Sequence, residues 1–317
     1  MKVLVTGGLG YLGSILIEKL IKLGFEVRVL DSILYGNFIT DVSDSFELIK
    51  GDIRDEKVLQ SALKDVEAVV HLAGIIGDTA SSLDMELSID VNYLATKKLA
   101  ELCGKRNVKL IFSSTCSVYG AQPGQLITEK SKVAPLSLYA FSKLLSEKAI
   151  ERLCKKYVIF RLGTLFGFSP RMRFDLVINK FIGQAIQGKT ITVFGGEQYR
   201  PFVHLQDVTE YFIKALNVDI NGIYNIGGNN YKIIEVAERL KKKLNCEIVT
   251  VEEQNDPRNY AVDSTYVKEV FGNINFKRVE FAVDEIKAAY ASGIIKDYRD
   301  PIFDNERWLR QIWRLGS

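Results

Sequence analysis

Tyr139 and Lys143 are the two side chains whose types and spacing most directly suggest acid–base chemistry. They stand four residues apart in a segment with a helical pattern, so both project from one face of the helix. A free tyrosine has a pKa near ~10, and an ammonium group beside the phenol stabilises its ionised form. Lowering that pKa to ~7 needs about 4 kcal/mol of preference for the phenolate, which would make the phenol a base near neutral pH.

The spacing alone does not select this pair, because Tyr93 and Lys97 share it. The context of Tyr139 is different. Its helix is introduced by Pro135 and Ser137, and it follows a predicted strand end that carries several hydroxyl groups. We therefore interpret Tyr139 as functional and Tyr93 as an aromatic residue that packs its helix.

Thr115 lies at that strand end. Its hydroxyl could hydrogen-bond a substrate hydroxyl and later a carbonyl oxygen, or it could simply cap the backbone where the strand ends. The sequence therefore predicts a catalytic set of Thr115, Tyr139 and Lys143.

A second chemical signal is the glycine-rich turn in residues 2–31, between a buried strand and a helix. Gly7 permits the tight turn, Gly10 lets the backbone approach a pyrophosphate, and Gly13 lets the helix pack on the strand. The helix N-terminus favours an anion there. Asp31 ends the next strand, where a carboxylate accepts ribose hydroxyls and repels a 2'-phosphate, so NAD is predicted rather than NADP. In a closed site, the positive charge of its oxidised nicotinamide could act with Lys143 to lower the pKa of Tyr139.

Further cofactor contacts are expected at the ends of the following strands. Asp52, after the strand Phe46 to Ile49, could meet the adenine amino group or could be the N-cap of a helix at 55–63. His71 is expected to be a hydrogen-bonded core histidine. The predicted cofactor-binding residues are Gly7, Gly10, Tyr11, Leu12, Gly13, Asp31, Asp52, Ile53, Leu72, Ala73, Gly74, Asn92, Ser113, Tyr139 and Lys143.

The elements that must position these residues alternate as strand and helix from residue 2 to 162. This alternation predicts an α/β fold with a doubly wound parallel sheet of the Rossmann type. We expect a loop at 75–88, a helix at 89–103, and two later strands, at 202–205 and 223–226, that rejoin this sheet. The predicted domains are 1–163 with 201–228 for NAD, and 164–200 with 229–317 as a smaller C-terminal substrate-binding lobe.

Composition narrows the functional class. The 317 residues carry a net charge of +3 with acidic and basic residues intermixed, so nucleic acid is not a predicted partner. No apolar stretch approaches the ~20 residues that span a bilayer, so no membrane partner is expected. The four cysteines lack metal-ligand spacing, and we predict free thiols, no metal, and a cytoplasmic protein.

Several segments together resemble the extended short-chain dehydrogenase/reductases, and among them the nucleotide-sugar 4-epimerases and 4,6-dehydratases. The segments are TGGLGYLG, Asp31, GDIRD, HLAG, the Asn92 helix, SSTCSVYG, YAFSK and RPFVHLQDV. The resemblance places that family's catalytic Ser or Thr on Thr115 and its YxxxK pair on Tyr139 and Lys143. It implies tightly held NAD, a nucleoside-diphosphate sugar as substrate, and a homodimer paired through the helices at 89–103 and 137–154.

The resemblance also bears on the reaction. Dehydratases of this family carry an Asp-Glu pair directly after the catalytic Thr, whereas this chain has Cys116-Ser117. The fused epimerase/reductases that make GDP-fucose place a cysteine where Ser117 stands, so Cys116 is expected to serve packing. We predict a 4-epimerase of the UDP-glucose/UDP-galactose type. The alternatives are an NAD-dependent reductase or dehydratase of the same family, or a non-catalytic dinucleotide-binding protein.

The substrate residues are less regular. The resemblance gives Arg200 the role of gripping the diphosphate. Epimerases usually have Asn where Thr164 stands, and an Arg-x-x-Asp motif where this chain has Glu253 to Asp256. Arg258 could replace that arginine or form a surface ion pair, and Arg171 and Arg173 offer further phosphate or sugar contacts. The predicted substrate-binding residues are Thr115, Thr164, Arg173, Arg200 and Arg258.

Overall fold

The computed structural model describes residues 1–39, 43–252 and 258–314. Within these ranges no helix is both long and apolar enough to cross a bilayer. The strands are β1 Lys2–Thr6, β2 Glu26–Asp31, β3 Glu47–Lys50, β4 Ala68–His71, β5 Lys109–Thr115, β6 Leu126–Ile127, β7 Tyr157–Leu162, β8 Thr164–Phe166, β9 Thr190–Phe194, β10 Tyr199–His204, β11 Gly222–Ile226, β12 Asn229–Lys232, β13 Glu247–Val251 and β14 Ala261–Val262. The α-helices are α1 Tyr11–Lys22, α2 Glu56–Ala62, α3 Asp78–Ser81, α4 Met85–Ile89, α5 Ala95–Arg106, α6 Leu138–Leu153, α7 Val177–Gly188, α8 Leu205–Leu216, α9 Ile233–Leu244, α10 Thr265–Phe271, α11 Phe281–Ala291 and α12 Asn305–Arg314.

Seven strands form one sheet in the order β11-β7-β5-β4-β1-β2-β3, and every neighbouring pair is parallel. The predicted doubly wound parallel sheet is therefore confirmed. The chain winds from β1 through β2 to β3 on one side and from β4 outward on the other. The order thus reverses between β1 and β4, and ligands of such sheets bind beyond the C-terminal strand ends at that point.

The sheet is buried on both faces, which explains the continuous apolar runs in its strands. Val3 and Val5 pack into one core, together with residues of α1 and α8. Leu4 points to the opposite face and packs into a second core with residues of α2, α5 and α6. Helices on both faces hold the strands, and so the residues at the strand ends, in fixed positions.

One of the two strands predicted to rejoin the sheet does so. β11 pairs with β7, but β10, which contains most of the predicted strand 202–205, pairs with β8 and β12 in a separate three-stranded sheet. The prediction for this strand was wrong because the strand β7 ends just before Gly163, and β8, just after it, belongs to a different sheet. A Cβ atom at Gly163 would lie 2.7 Å from the Gly227 carbonyl oxygen, so glycine permits these two chain segments to pass close to each other. After this point β8 and its partner β10 lie outside the seven-stranded sheet. The domain division stays a prediction.

The region after β4 also differs from the prediction. The expected loop at 75–88 contains α3 and α4, and the expected helix at 89–103 is interrupted by a π-helical turn at Asp90–Leu94 before α5 begins. The Asn92 carbonyl oxygen accepts the hydroxyl groups of Thr96 and Ser146 at 2.7 Å each. These side-chain bonds satisfy a carbonyl group in the interrupted helix.

A buried ion pair joins α6 to the strands that carry the catalytic candidates. Glu147 on α6 accepts two bonds from Arg161 on β7, at 3.0 and 2.7 Å, and the two side chains are 0% and 4% exposed. Glu147 also accepts the hydroxyl of Ser114 on β5 at 2.5 Å. Arg161 in turn donates to the phenol oxygen of Tyr119. Helix and strand ends are therefore tied at the position of the neighbouring Thr115.

Removing Glu147 should be strongly destabilising. In Glu147→Ala the Arg161 charge stays buried without its partner, so we expect the free energy of unfolding to fall by about 3–5 kcal/mol. The matched control is Glu151→Ala, one helical turn on, where the partner Lys148 is exposed. That change should cost less than ~1 kcal/mol. Urea denaturation measures both, and equal losses would contradict the importance of the buried pair.

Candidate active site

The predicted site residues come together around one cavity of about 1300 Å³ beyond the C-terminal ends of the central strands. All of them line it except Asn92 and Lys143. A typical small-molecule pocket has about 300–1,000 Å³, so this volume is suited to more than one ligand. The structure therefore brings these residues to one cavity, and their roles in binding and catalysis stay predictions.

The glycine turn has the geometry that a dinucleotide requires. Gly7 has a φ of +69°, and a Cβ atom there would lie 2.6 Å from the backbone of Ala73. A Cβ atom at Gly13 would lie 2.5 Å from the Gly8 carbonyl oxygen. Gly10 is the N-cap of α1 and offers no side chain to its first N–H groups. The helix N-terminus faces the cavity with the donor groups that a pyrophosphate would accept.

Asp31 lies at the cavity wall where the sequence placed it. Its carboxylate accepts the backbone N–H groups of Leu9 at 3.0 Å and Ile33 at 2.8 Å. Burial raises its pKa, and these two hydrogen bonds oppose that rise. The acid therefore links the glycine turn to the loop after β2, and its contact with a ribose stays a prediction.

Asp52 also lines the cavity, but it is not a helix cap. The N-cap of α2 is Asp55, whose carboxylate accepts the N–H groups of Lys57 and Val58. The N-cap alternative for Asp52 was therefore wrong. The cap is Asp55, which lies three residues further along the same segment before the helix. Asp52 instead pairs with Arg54 at 2.7 Å, next to the cavity. The adenine contact stays a prediction.

Thr115 and Tyr139 meet in the cavity wall. The Thr115 side chain hydrogen-bonds the Tyr139 phenol, which lowers the pKa of that phenol. The same Thr115 oxygen accepts the backbone N–H of Ser117 at 3.1 Å. The capping interpretation of Thr115 is therefore confirmed, and its hydroxyl also contacts Tyr139. The hydrogen bond to a substrate oxygen stays a prediction.

Lys143 lies behind the cavity and is 1% exposed. Its ammonium donates to the carbonyl oxygen of Ser113 at 2.9 Å and lies 4.6 Å from the centre of the Phe112 ring. Burial lowers the pKa of Lys143 to about 7, while the carboxylate of Glu147 opposes this effect. Glu147 is four residues beyond Lys143, so Tyr139, Lys143 and Glu147 follow one face of α6.

The expected lowering of the Tyr139 pKa does not occur in the protein alone. Burial raises that pKa, and the negative charge of Asp78 adds to the rise, while Arg173 and the bond from Thr115 act in the opposite direction. Lys143 is not among the groups that shift this pKa, and the desolvation of a buried phenolate outweighs the charges that do. The expectation that Lys143 and the positive ring of the oxidised nicotinamide together acidify the phenol stays a prediction.

Asn92 is hydrogen-bonded to the backbone within the protein. It is 1% exposed, its amide oxygen accepts the N–H of Ile75 at 2.8 Å, and its amide nitrogen donates to the Ile75 carbonyl at 3.0 Å. A Cβ atom at Gly74 would lie 2.8 Å from that amide oxygen. Asn92 thus fixes the backbone that follows β4, and any direct contact with a cofactor stays a prediction.

His71 and Cys116, which the sequence analysis assigned to the core and to packing, are confirmed as core residues. His71 is fully buried, with its ring nitrogens 2.6 Å from the Thr6 hydroxyl and 2.8 Å from the Thr96 hydroxyl. Cys116 is fully buried, and its thiol donates to the Arg161 carbonyl oxygen. Burial raises the pKa of this thiol. All four cysteines are free.

The arginines predicted to bind substrate each have a protein partner in the cavity wall. Arg258 pairs with Asp78 at 2.6 Å, and Arg173 pairs with Asp175 at 2.6 Å. Arg200 lies 5.8 Å from the centre of the Tyr260 ring. Arg258 therefore forms an ion pair, as one of its two alternatives predicted, and both partners line the cavity. The Glu253 to Asp256 segment lies outside the described residues.

Sequence reasoning missed two residues at this end of the site. Asp78 binds Arg258 with one oxygen and accepts the Ser137 hydroxyl with the other at 2.6 Å, so it also touches the N-cap of α6. Tyr260 lines the cavity beside Arg200. No spacing signals either contact, because Asp78 and Arg258 are 180 positions apart.

Comparisons with known proteins agree with this geometry. The model of the NAD dependent epimerase/dehydratase family matches residues 3–227. A protein named putative UDP-glucose 4-epimerase from Methanocaldococcus jannaschii is 31% identical over 76% of this chain and 82% of its own length. UDP-glucuronic acid decarboxylase 5 from Arabidopsis thaliana is 28% identical over 86% of this chain and 84% of its own.

A solved structure shares the whole architecture. The UDP-glucuronic acid 4-epimerase from Bacillus cereus, in complex with UDP-glucuronic acid and NAD, has a TM-score of 0.81 and 27% identity. The similarity covers 93% of this chain and 100% of that one. The relatives therefore share a fold while their names describe more than one reaction.

The glycine turn can be tested with a matched pair of substitutions. Gly7→Ala places a Cβ atom 2.6 Å from backbone, whereas Gly24→Ala, with φ of +81°, meets no atom within 4 Å. We expect Gly24→Ala to lower the free energy of unfolding by about 1–2 kcal/mol from backbone conformation alone. Gly7→Ala should cost more than about 3 kcal/mol or prevent folding. Urea denaturation compares them, and similar losses would contradict the close contact between β1 and β4.

Proposed function

The chain belongs to the NAD-dependent epimerase/dehydratase family, so its cofactor is NAD, and we propose that it inverts C4 of a nucleoside-diphosphate sugar through a 4-keto intermediate. The observation that carries this proposal is the Thr115–Tyr139 hydroxyl pair in the cavity wall, followed in the chain by Cys116 and Ser117. These residues provide one site for proton transfer at a sugar hydroxyl. Epimerisation at C4 needs no more than that from the side chains.

The other reactions of the family need groups that these positions do not offer. A 4,6-dehydration requires an acid for the leaving hydroxyl and a base at C5, in addition to the tyrosine. The side chains that follow Thr115 here are a buried thiol with a raised pKa and a hydroxyl. The nearby carboxylate of Asp78 has both oxygens bonded, to Arg258 and to Ser137. This supports epimerisation over dehydration.

In the proposed mechanism the ionised Tyr139 takes the proton of the sugar 4-hydroxyl. Thr115 hydrogen-bonds the same oxygen and continues to do so when it becomes a carbonyl oxygen. NAD, which Asp31 and the glycine turn at Gly7, Gly10 and Gly13 would hold, would supply the hydride acceptor and the hydride donor for C4. The 4-keto sugar turns over between these events, and Tyr139 gives the proton back to the opposite epimer, so the enzyme ends as it began.

The residues that surround this reaction serve binding and charge. Arg200 and Arg258 are proposed to hold the diphosphate, because both are cationic residues of the cavity wall. Thr164 and Arg173 are proposed to contact the sugar. Lys143 is proposed to hold the nicotinamide ribose from behind Tyr139, and Glu147 favours its protonated form.

We also propose that the protein is a cytoplasmic homodimer. Its interface would consist of α5, α6 and the π-helical turn between α4 and α5. Leu94 in that turn and Phe141 on α6 are both 46% exposed. α5 and α6 contact each other on one face of the sheet. Apolar side chains exposed on adjacent elements suit a self-complementary interface.

Replacing the phenol oxygen should abolish turnover without loss of the fold. For Tyr139→Phe we expect kcat to fall by at least about 10³-fold, as befits the loss of a general base, with NAD still bound. Tyr93→Phe is the matched control, since Tyr93 has the same spacing to Lys97, and it should keep full activity. A Tyr139→Phe enzyme with more than a tenth of the original kcat would refute the proposed role.

The substrate class can be determined by a direct screen. We expect UDP-glucose and UDP-galactose to interconvert, and dTDP-, GDP- and ADP-sugars to react more slowly. Nuclear magnetic resonance of the products distinguishes the alternatives, because inversion preserves mass. Accumulation of a 4-keto-6-deoxy sugar, or release of carbon dioxide from UDP-glucuronic acid without epimerisation of any sugar, would contradict the proposed reaction.

A further inference from the structure

Arg171 and Tyr35 form a buried cluster in the cavity wall that has no role in the proposed reaction. Arg171 is 2% exposed, its guanidinium carbon lies 4.5 Å from the centre of the Tyr35 ring, and both residues line the cavity. One terminal nitrogen donates to the Asn305 side-chain oxygen at 2.8 Å, and the other donates to the Met172 carbonyl at 3.2 Å.

Two donors of this cluster are left over. Among the described residues, the Arg171 Nε atom and the Tyr35 hydroxyl oxygen are buried with no hydrogen-bond partner. A buried donor without an acceptor costs about 1–3 kcal/mol, and native structures rarely leave two in one place without a use. Burial lowers the pKa of Arg171 to about 10, so the guanidinium is still charged at neutral pH.

The C-terminal helix holds this cluster in place. Asn305, the first residue of α12, also donates to the Ile76 carbonyl at 3.1 Å, after β4. The indole nitrogen of Trp308 donates to the Leu34 carbonyl at 2.8 Å, after β2. α12 therefore ties together the loops that follow β2 and β4, next to the donors of Tyr35 and Arg171.

We propose that Arg171 and Tyr35, held by α12, bind the pyrophosphate of the dinucleotide cofactor. An arginine N–H and a phenol O–H that both lack an acceptor match an anionic oxygen. Tyr35 lies on the loop that follows Asp31, the predicted ribose residue. The charge of Arg173 acts on the pKa of both Arg171 and Tyr11, and Tyr11 begins α1, at whose N-terminus phosphates bind.

The substrate diphosphate has a different candidate set. Arg200 lies over the Tyr260 ring and Arg258 pairs with Asp78, and neither contact involves α12. The second cationic set is consistent with a cavity that holds two diphosphate ligands. This inference rests on the cofactor alone and not on which sugar the enzyme inverts.

Binding measurements on three variants test the proposal. Arg171→Met removes the guanidinium, Arg171→Lys keeps a positive charge, and Tyr35→Phe removes one hydroxyl. The controls are Arg310→Met, which removes a charge on α12 that pairs with Glu306, and Tyr290→Phe, which removes a buried hydroxyl outside the cavity. Each protein is freed of bound cofactor and titrated with NADH, ADP-ribose, NADP and UDP, and its Tm is recorded.

We expect Arg171→Met to raise the Kd for NADH and ADP-ribose about 10- to 100-fold, and Tyr35→Phe to raise them about 2- to 10-fold. Arg171→Lys should fall between the wild type and Arg171→Met. The Kd for UDP and both controls should be unchanged. Weakened UDP binding with unchanged NADH binding would overturn the proposal in favour of the substrate. Loss confined to NADP would assign the guanidinium to a 2'-phosphate, and no change in any ligand would make the cluster purely structural.

If Arg171→Met does not fold, Tyr35→Phe decides the question, because it removes a single oxygen that has no partner in the protein. These measurements need no turnover, so a failed epimerase assay would leave them interpretable. Conversely, an active epimerase with unchanged NADH affinity in Tyr35→Phe and Arg171→Lys would refute the inference and leave the proposed function standing.

Discussion

Burial of the Tyr139 phenol is the constraint on which the site depends. A phenol shielded from water resists ionisation, and the neighbouring Asp78 increases that resistance. The groups that oppose this effect are the hydroxyl of Thr115 and the charge of Arg173. Lys143 lies one turn along α6. Lys143 is itself buried, so its own charge depends on the carboxylate of Glu147. In the proposed mechanism, positive charge that enters with the oxidised cofactor would allow this phenol to act as a base. This arrangement would couple chemistry to cofactor binding.

The fold supplies the fixed geometry that such a base needs. The Glu147–Arg161 pair and the Ser114 hydroxyl tie α6 to the ends of β5 and β7, which holds the helix that carries Tyr139 beside Thr115. The reversal of strand order between β1 and β4 opens the cavity beside these strand ends. Gly7 allows the segments that follow these two strands to approach each other closely at that point. Because packing fixes the positions of these residues, the proposed reaction needs only a few side chains.

The sequence predicted the parts of the site that depend on local pattern. The glycine turn, Asp31 and the Tyr139–Lys143 spacing each lie within one strand-helix unit, where backbone geometry follows from neighbouring residues. Glu147 was within reach of the same reasoning, since it continues that spacing by one turn. Long-range partners could not be predicted by this reasoning. The sheet to which β10 belongs, and the contact of Asn305 with Arg171, depend on the packing of the whole chain. The pKa of Tyr139 also required burial, which spacing cannot give.

Titration of the Tyr139 phenol by ultraviolet difference absorbance tests the central claim most directly. The spectrum of the Tyr139→Phe variant, subtracted at each pH, isolates this phenol from the other tyrosines. We predict that its pKa is above the ordinary value in the protein without cofactor and falls when NAD is added, and that NADH, which lacks the positive ring charge, lowers it less. A phenol whose titration is the same with NAD, with NADH and without either would contradict the view that cofactor charge activates the base.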